Sequence, residues 1–284
     1  MNPSMRALAN TTLLAGLTLL GGCAGDTTRN TAAEPVVIRV HAAGSLRGVL
    51  TDLARAYELG HPGERVQLTF GASGLLKERL AAGEPSQVFA SANMEHPEAL
   101  LGSGHADSVQ AFATNALCGL ATPGFRLNGR PLATRLLDAD VRVATSTPKA
   151  DPAGDYAFRM FERIEASGAG PAGSAQALKT KALQLTGGPA APGAPAPPAD
   201  RSLYGQLMAD GRADVFITYC TNAAQARREV PGLQLLDIPP ALNVAARYGV
   251  ALMRPVTPSA RRFIDGMLST EGRALLAGHG FSAP

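Results

Sequence analysis

Twice within residues 36–82, a short apolar strand pattern runs into a turn of small residues carrying one serine, and the turn opens directly into a helical pattern. Val36–Val40 leads to Ala42-Ala43-Gly44-Ser45, after which Leu46, Leu50, Leu53, Ala54 and Tyr57 recur at helical spacing. Val66–Phe70 leads to Gly71-Ala72-Ser73-Gly74 and a helix over Leu75 to Ala82. Gly60 and Pro62 stop the first helix and Gly83 the second. Val88–Ala90 reads as a third strand. Strand–helix alternation of this kind builds a mostly parallel sheet covered by helices, so the expected fold class is α/β.

A second α/β region follows. Asn115–Ala121 is an apolar strand, Val141–Ala144 another, Gly154 to about Glu165 a helix, and Val215–Tyr219 a further strand. Between them, Gly187–Ala199 (GGPAAPGAPAPPA) is a Pro/Gly/Ala stretch that cannot bury a core and is expected as a surface insertion. The chain ends in helices over Pro258–Leu268 and Thr270–Ala277, and no repeat at solenoid periods is present.

The 284 residues suffice for one large domain or two ordinary ones. With 45% hydrophobic and 17% charged residues the composition is globular. A net charge of only +3, without a run of like charges, argues against a nucleic-acid partner. The N-terminus reads as a leader: Arg6 precedes an apolar stretch, Ala7 to Leu20, too short to span a bilayer, and Leu20-Gly21-Gly22-Cys23 resembles a lipobox. Residues 1–22 are then a cleaved lipoprotein-type signal peptide, Cys23 the lipidation site and 23–35 a tether. The mature chain carries 25 basic and 23 acidic residues, +2. Cys118 and Cys220 remain. In an oxidising compartment they either pair or stay as two buried thiols.

Chemistry can gather at the serine turns. A serine that opens a helix is often only an N-cap. Helix starts also present unpaired N–H groups and partial positive charge, and small residues let an anion approach them. Both turns follow the carboxyl ends of parallel strands, where ligands bind in open α/β sheets. Asp151-Pro152-Ala153-Gly154-Asp155-Tyr156 is a third small-residue helix start, and Tyr219 ends an apolar strand. Two cysteines and five scattered histidines give no zinc spacing, and no cofactor is expected. Around Ser73 the sequence nearly forms a nucleophile elbow, but Leu75 stands where that motif needs glycine. His41, His61, His96, His105 and His279 have no evident acidic partner, so a hydrolase is only the minor alternative to a non-enzymatic binder.

Taken in order, Ala42-Ala43-Gly44-Ser45-Leu46, Phe70-Gly71-Ala72-Ser73-Gly74, Val88-Phe89-Ala90-Ser91-Ala92, Pro152-Ala153-Gly154-Asp155-Tyr156 and Val215-Phe216-Ile217-Thr218-Tyr219 resemble the periplasmic molybdate-binding family of ABC importers, within the type II two-lobed solute-binding proteins. The likeness covers residues 36–284, and the ending Ser269–Ala277 with His279-Gly280-Phe281 resembles the closing helix of such proteins. It implies two α/β lobes around a hinge, residues 36–115 plus 222–284 and residues 116–221, with crossings near Asn115 and Tyr219. Cys118 and Cys220 would both lie by the hinge, placed to pair.

The resemblance also implies that a molybdate- or tungstate-type oxyanion is held by the Ser45 and Ser73 hydroxyls, backbone N–H groups at Ala153 and Arg201, and the Tyr219 hydroxyl. Such a shell suits a fully deprotonated anion, which needs donors only; each hydrogen bond to a charged group is worth about 1.5–3 kcal/mol. Sulfate, phosphate, a phosphonate or a small organic acid is the alternative ligand. Arg201 is larger than a backbone-donor position requires. Asp151 and Asp155 suit a helix start, but facing the cleft either would repel a dianion or accept a phosphate proton. The expected partners are ABC permease subunits, reached by a monomeric, periplasmic, lipid-anchored protein.

Overall fold

Strand β1 (Val36–Ala43) is buried at every position from Val40 onward, as a strand with neighbours on both sides must be. The computed structural model describes residues 34–188 and 201–284. The leader, Cys23 and nearly all of the expected tether and Pro/Gly/Ala insertion lie outside them. A 3-10 turn, Gly44–Leu46, buries the expected Leu46 and carries β1 into α1 (Arg47–Gly60), which buries the expected Leu50, Leu53, Ala54 and Tyr57 and, in addition, Val49. There follow β2 (Glu64–Gly71), α2 (Ser73–Ala81), β3 (Val88–Ser91), α3 (Glu95–Gly102) and β4 (Ala106–Asn115).

The second region comprises β5 (Leu117–Ala121), α4 (Leu132–Leu136), β6 (Val143–Ser146), α5 (Pro152–Ala166), α6 (Ser174–Lys181), β7 (Leu183–Thr186), α7 (Leu203–Ala209), β8 (Val215–Tyr219), α8 (Cys220–Glu229) and β9 (Gln234–Asp237). The chain then returns through β10 (Ala246–Met253), α9 (Pro258–Leu268) and α10 (Thr270–Gly278).

These strands form two five-stranded sheets, ordered β2-β1-β3-β10-β4 and β7-β6-β8-β5-β9. In the first, β1 pairs in parallel with β2 and β3, while β10 runs antiparallel to β3 and β4. In the second, β6 is parallel to β7 and β8, while β5 is antiparallel to β8 and β9. The fold is thus α/β, two mixed sheets flanked by helices. Their inner faces are closed by aliphatic residues such as Val40, Val88, Leu120 and Val215, each fully buried and each worth roughly 1.5–3 kcal/mol of burial.

The first crossing between sheets falls between Asn115 and Leu117. The second does not fall at Tyr219. Strand β9 pairs with β5, Cys118 opposite Asp237, and α8 buries Ala223 and Ala226 against Leu120 and Phe216. Residues 222–237 therefore sit with the second sheet, and the return comes between Asp237 and Ala246. Asn243 holds that return against the first crossing. Its side chain accepts from Leu117 N at 3.0 Å and donates to Leu117 O at 2.8 Å.

Candidate anion-binding cleft

The turns after β1 and β2 meet the β8 end and the loop beyond β7 around one cavity of about 370 Å³. Ser45, Ser73, Arg201 and Tyr219 all line it, with Arg47, Asp151, Tyr204, Asn222 and Gln225. Four of the five expected ligand positions are thus brought together from both sheets.

The hydroxyl protons can be assigned by elimination. Ser45 Oγ lies 2.9 Å from the Tyr248 hydroxyl, and Asn115 Nδ2 donates to that same hydroxyl oxygen at 3.3 Å. Tyr248 is fully buried, and burial pushes its pKa far up. Its hydrogen needs an acceptor, and Ser45 Oγ is the one in reach. Ser45 therefore accepts from Tyr248 and keeps its own hydrogen for the cleft. Ser73, also buried, accepts from Ala92 N at 3.1 Å, which leaves its hydrogen free in the same way. The Tyr219 hydroxyl reaches Ala92 O across the cleft at 3.4 Å, a long contact that a better acceptor would displace.

The third turn departs from the expectation. Ala153 is fully buried and does not line the cavity. Its N–H donates to Asp151 Oδ1 at 3.1 Å, because Asp151 is the N-cap of α5. The turn is pressed against β6: a Cβ on Gly154 would lie 2.4 Å from Ser146 O. Asp155 faces away from the cleft and accepts from Lys149 N at 2.9 Å. Asp151 faces into it, so the shell is not made of donors alone. Burial first of all raises the Asp151 pKa, against the opposing bonds from Ala153 N–H and Ser146. Its charge in turn adds to the burial that raises Tyr204, Tyr219 and Tyr248.

Arg47 is a cleft residue that the sequence reading missed. It opens α1 two positions after Ser45 and lays its guanidinium 4.5 Å from the Phe70 ring centroid. Burial pulls its pKa down, so an anionic guest in the cleft would restore what desolvation takes away. Arg201 lies at the exposed rim.

The sequence profile described as bacterial extracellular solute-binding protein matches residues 38–282, almost the whole of the two-sheet region. The chain belongs to that family. A relative in Pasteurella multocida, an uncharacterised protein, is 35% identical over 250 residues, covering 86% of this chain and 98% of its own. The molybdate-binding protein of Mycobacterium bovis is 25% identical over 284 residues, covering 98% and 97%. Among solved structures, the sulfate-binding protein SubI of Mycobacterium tuberculosis superposes with a TM-score of 0.71 at 17% identity, covering 87% of each chain. The two-sheet architecture is therefore that of an extracellular solute-binding protein. Family membership agrees with a Cys118–Cys220 disulfide, which joins β5 to the first residue of α8 with Cα atoms 4.8 Å apart.

Other expected features bear on the chemistry. Among the described residues, no histidine is hydrogen-bonded to Ser45 or Ser73, and no group of three or more His, Cys, Asp or Glu is arranged to hold a metal ion. His41 instead lies against Glu84 at 2.9 Å, far from either serine in its bonding. No helix among them is long and apolar enough to cross a membrane.

Proposed function

We propose that this protein captures a tetrahedral oxyanion in the cleft between its two sheets and hands it to the permease of an ABC importer, without chemical change. One observation carries the reading. Ser45 and Ser73, from two different strand ends of one sheet, and Tyr219, from the other, line a single cavity, and both serine hydrogens are free to point into it. Neutral donors of this kind satisfy the lone pairs of an anion without bringing a fixed counter-ion. Arg47 supplies long-range attraction.

Within that class, the motif order and the Mycobacterium bovis relative favour molybdate or tungstate. A second reading, a protonated anion such as hydrogen phosphate, is favoured by the Asp151 carboxyl in the cleft wall. The protein acts as a monomer tethered through Cys23 on the outer face of the cytoplasmic membrane or in the periplasm, and closing of the two halves on the ligand presents it to the permease.

Isothermal titration of the mature protein with molybdate, tungstate, sulfate and phosphate tests the class. At least one of these is expected to bind, and Ser45→Ala and Ser73→Ala are each expected to weaken it by roughly 10- to 100-fold with unchanged circular dichroism. Silence towards all four anions, or full affinity in both variants, overturns the assignment.

A further inference from the structure

The Ser45 hydroxyl ends a directed chain of hydrogen bonds that begins in the backbone between the two sheets. The Ala116 N–H donates to Asn115 Oδ1 at 2.9 Å. A backbone N–H can only donate, so this bond fixes the orientation of the buried Asn115 amide: its oxygen faces Ala116 and its NH2 faces away. The NH2 donates to two hydroxyl oxygens, that of Thr221 at 2.8 Å and that of Tyr248 at 3.3 Å. Tyr248 in turn spends its own hydrogen on Ser45 Oγ, 2.9 Å away. Reversing that last bond would leave the buried Tyr248 hydrogen facing the Asn115 NH2, donor against donor. The Tyr248 ring has no room to swing, because Phe112 and Phe281 meet it edge-on with centroids 6.1 and 5.4 Å away.

The chain also spans the two halves of the molecule. Asn115 ends β4 at the first crossing between the sheets, Tyr248 belongs to β10 of the first sheet, and Thr221 belongs to α8, which packs with the second. Ser45 lines the cavity, whereas Asn115 and Tyr248 do not. Resting on the oxyanion reading above, we propose that Tyr248 and Asn115 are positioning residues for the guest: acting only through Ser45, they commit its hydrogen to the cleft and tie that donor to the crossing between the sheets. A hydroxyl hydrogen otherwise rotates to suit its surroundings, and ordering it consumes part of the bond it makes. Here the ordering precedes the guest. Every bond in the chain runs donor to acceptor towards the cleft, so it ends in a hydrogen, which suits an anion.

A double-mutant cycle with Ser45→Ala separates positioning from a structural role. The probes are molybdate, sulfate and phosphate, titrated calorimetrically into the mature protein well below its unfolding transition. Tyr248→Phe removes one oxygen and keeps the ring. It is expected to weaken whichever of the three anions binds the native protein by about three- to tenfold. Asn115→Asp keeps the oxygen that faces Ala116 and replaces the NH2 by an acceptor, which draws the Tyr248 hydrogen away from Ser45 and turns the Ser45 hydrogen inward. Its expected loss is at least about tenfold. With Ser45→Ala already present, each loss should shrink by at least about threefold, since the hydroxyl through which both residues act is gone.

A residue that merely supports the fold, or a carboxylate that merely repels the anion, costs the same affinity in both backgrounds. Equal losses with and without the Ser45 hydroxyl, or full affinity in Tyr248→Phe, therefore overturn the proposal while the oxyanion reading stands. If none of the three anions binds the native protein, the oxyanion reading itself fails, and the proposal with it.

Discussion

Side chains at the cleft were legible in the sequence to the extent that their backbone setting dictates what they face. Ser45, Ser73 and Tyr219 each stand where a strand ends and a helix begins, and that position alone turns them towards the sheet edge. Asp151 was legible as a helix start, because Asp before Pro is a cap signal, but not as a wall of the cleft. Capping fixes only one oxygen, and the direction of the other depends on Gly187, 36 positions away. Arg47 gave no signal, since an arginine in the first turn of an amphipathic helix is normally solvated. The half-buried Asp151 carboxyl has a consequence for stability that needs no ligand. Its pKa is raised in the folded state, so the native protein holds the Asp151 proton more tightly than the unfolded chain. The contribution is fully present below about pH 4, the ordinary value for aspartate, and is lost as pH rises through the raised folded value. The thermal midpoint of the ligand-free native protein should therefore carry a penalty at neutral pH that Asp151→Asn relieves. Scanning calorimetry from pH 4 to 8 should show the variant gaining a few degrees over the native protein at the upper end, at about 2–4 °C per kcal/mol, and little at the lower.

Elements with strong internal periodicity were read closely, as α9 shows, and the boundaries moved where a neighbour rather than propensity sets them. Helix α2 begins at Ser73, two residues before the apolar pattern does, because Gly74 is held from the other side of the cleft: its N–H donates to Ala150 O at 2.9 Å. Strands β7 and β9 escaped notice since each has four residues and a largely half-exposed face. At Gly74 the two halves touch backbone to backbone. A Cβ there would lie 2.3 Å from Lys149 O and 2.7 Å from Ala150 O, a clash with backbone that no rotamer relieves. In isolation the helix would prefer alanine, by up to about 1 kcal/mol. Gly74→Ala should therefore leave the thermal midpoint of the free protein within a few degrees of native while lowering oxyanion affinity by at least about tenfold, since only the closed contact is obstructed. Small-angle scattering with saturating ligand should find the variant more extended than the native protein. Equal affinity and equal dimensions would mean that the Gly74–Ala150 contact plays no part in closure.

At the scale of the molecule, the sequence conveyed two α/β regions and their first crossing, and misplaced the second crossing because nothing local marks it. After Tyr219 the chain runs on through α8 and β9 before returning, and the decisive contacts are long-range: β9 on β5, and the Asn243 side chain on both backbone groups of Leu117. The Cys118–Cys220 disulfide belongs to the same region. Cys118 lies one residue beyond the first crossing strand's start, and Cys220 follows the cleft residue Tyr219 directly, so the bond anchors the β8–α8 corner that presents Tyr219 to the cleft. Its effect should split into two parts. Closing a loop of 102 residues restricts the unfolded chain by up to about 4–5 kcal/mol in the chain-entropy model, so Cys118→Ser with Cys220→Ser should lower the denaturation free energy by several kcal/mol. The corner itself is also held by β5–β8 pairing, Leu117 opposite Tyr219, and by Cys220 N donating to Ala116 O at 2.8 Å. Affinity measured well below the variant's unfolding transition should accordingly change by less than about threefold, under 1 kcal/mol. Chemical denaturation paired with titration distinguishes the two parts. A large loss of affinity with little loss of stability would place the disulfide in the binding machinery and take away the role assigned to the strand pairing.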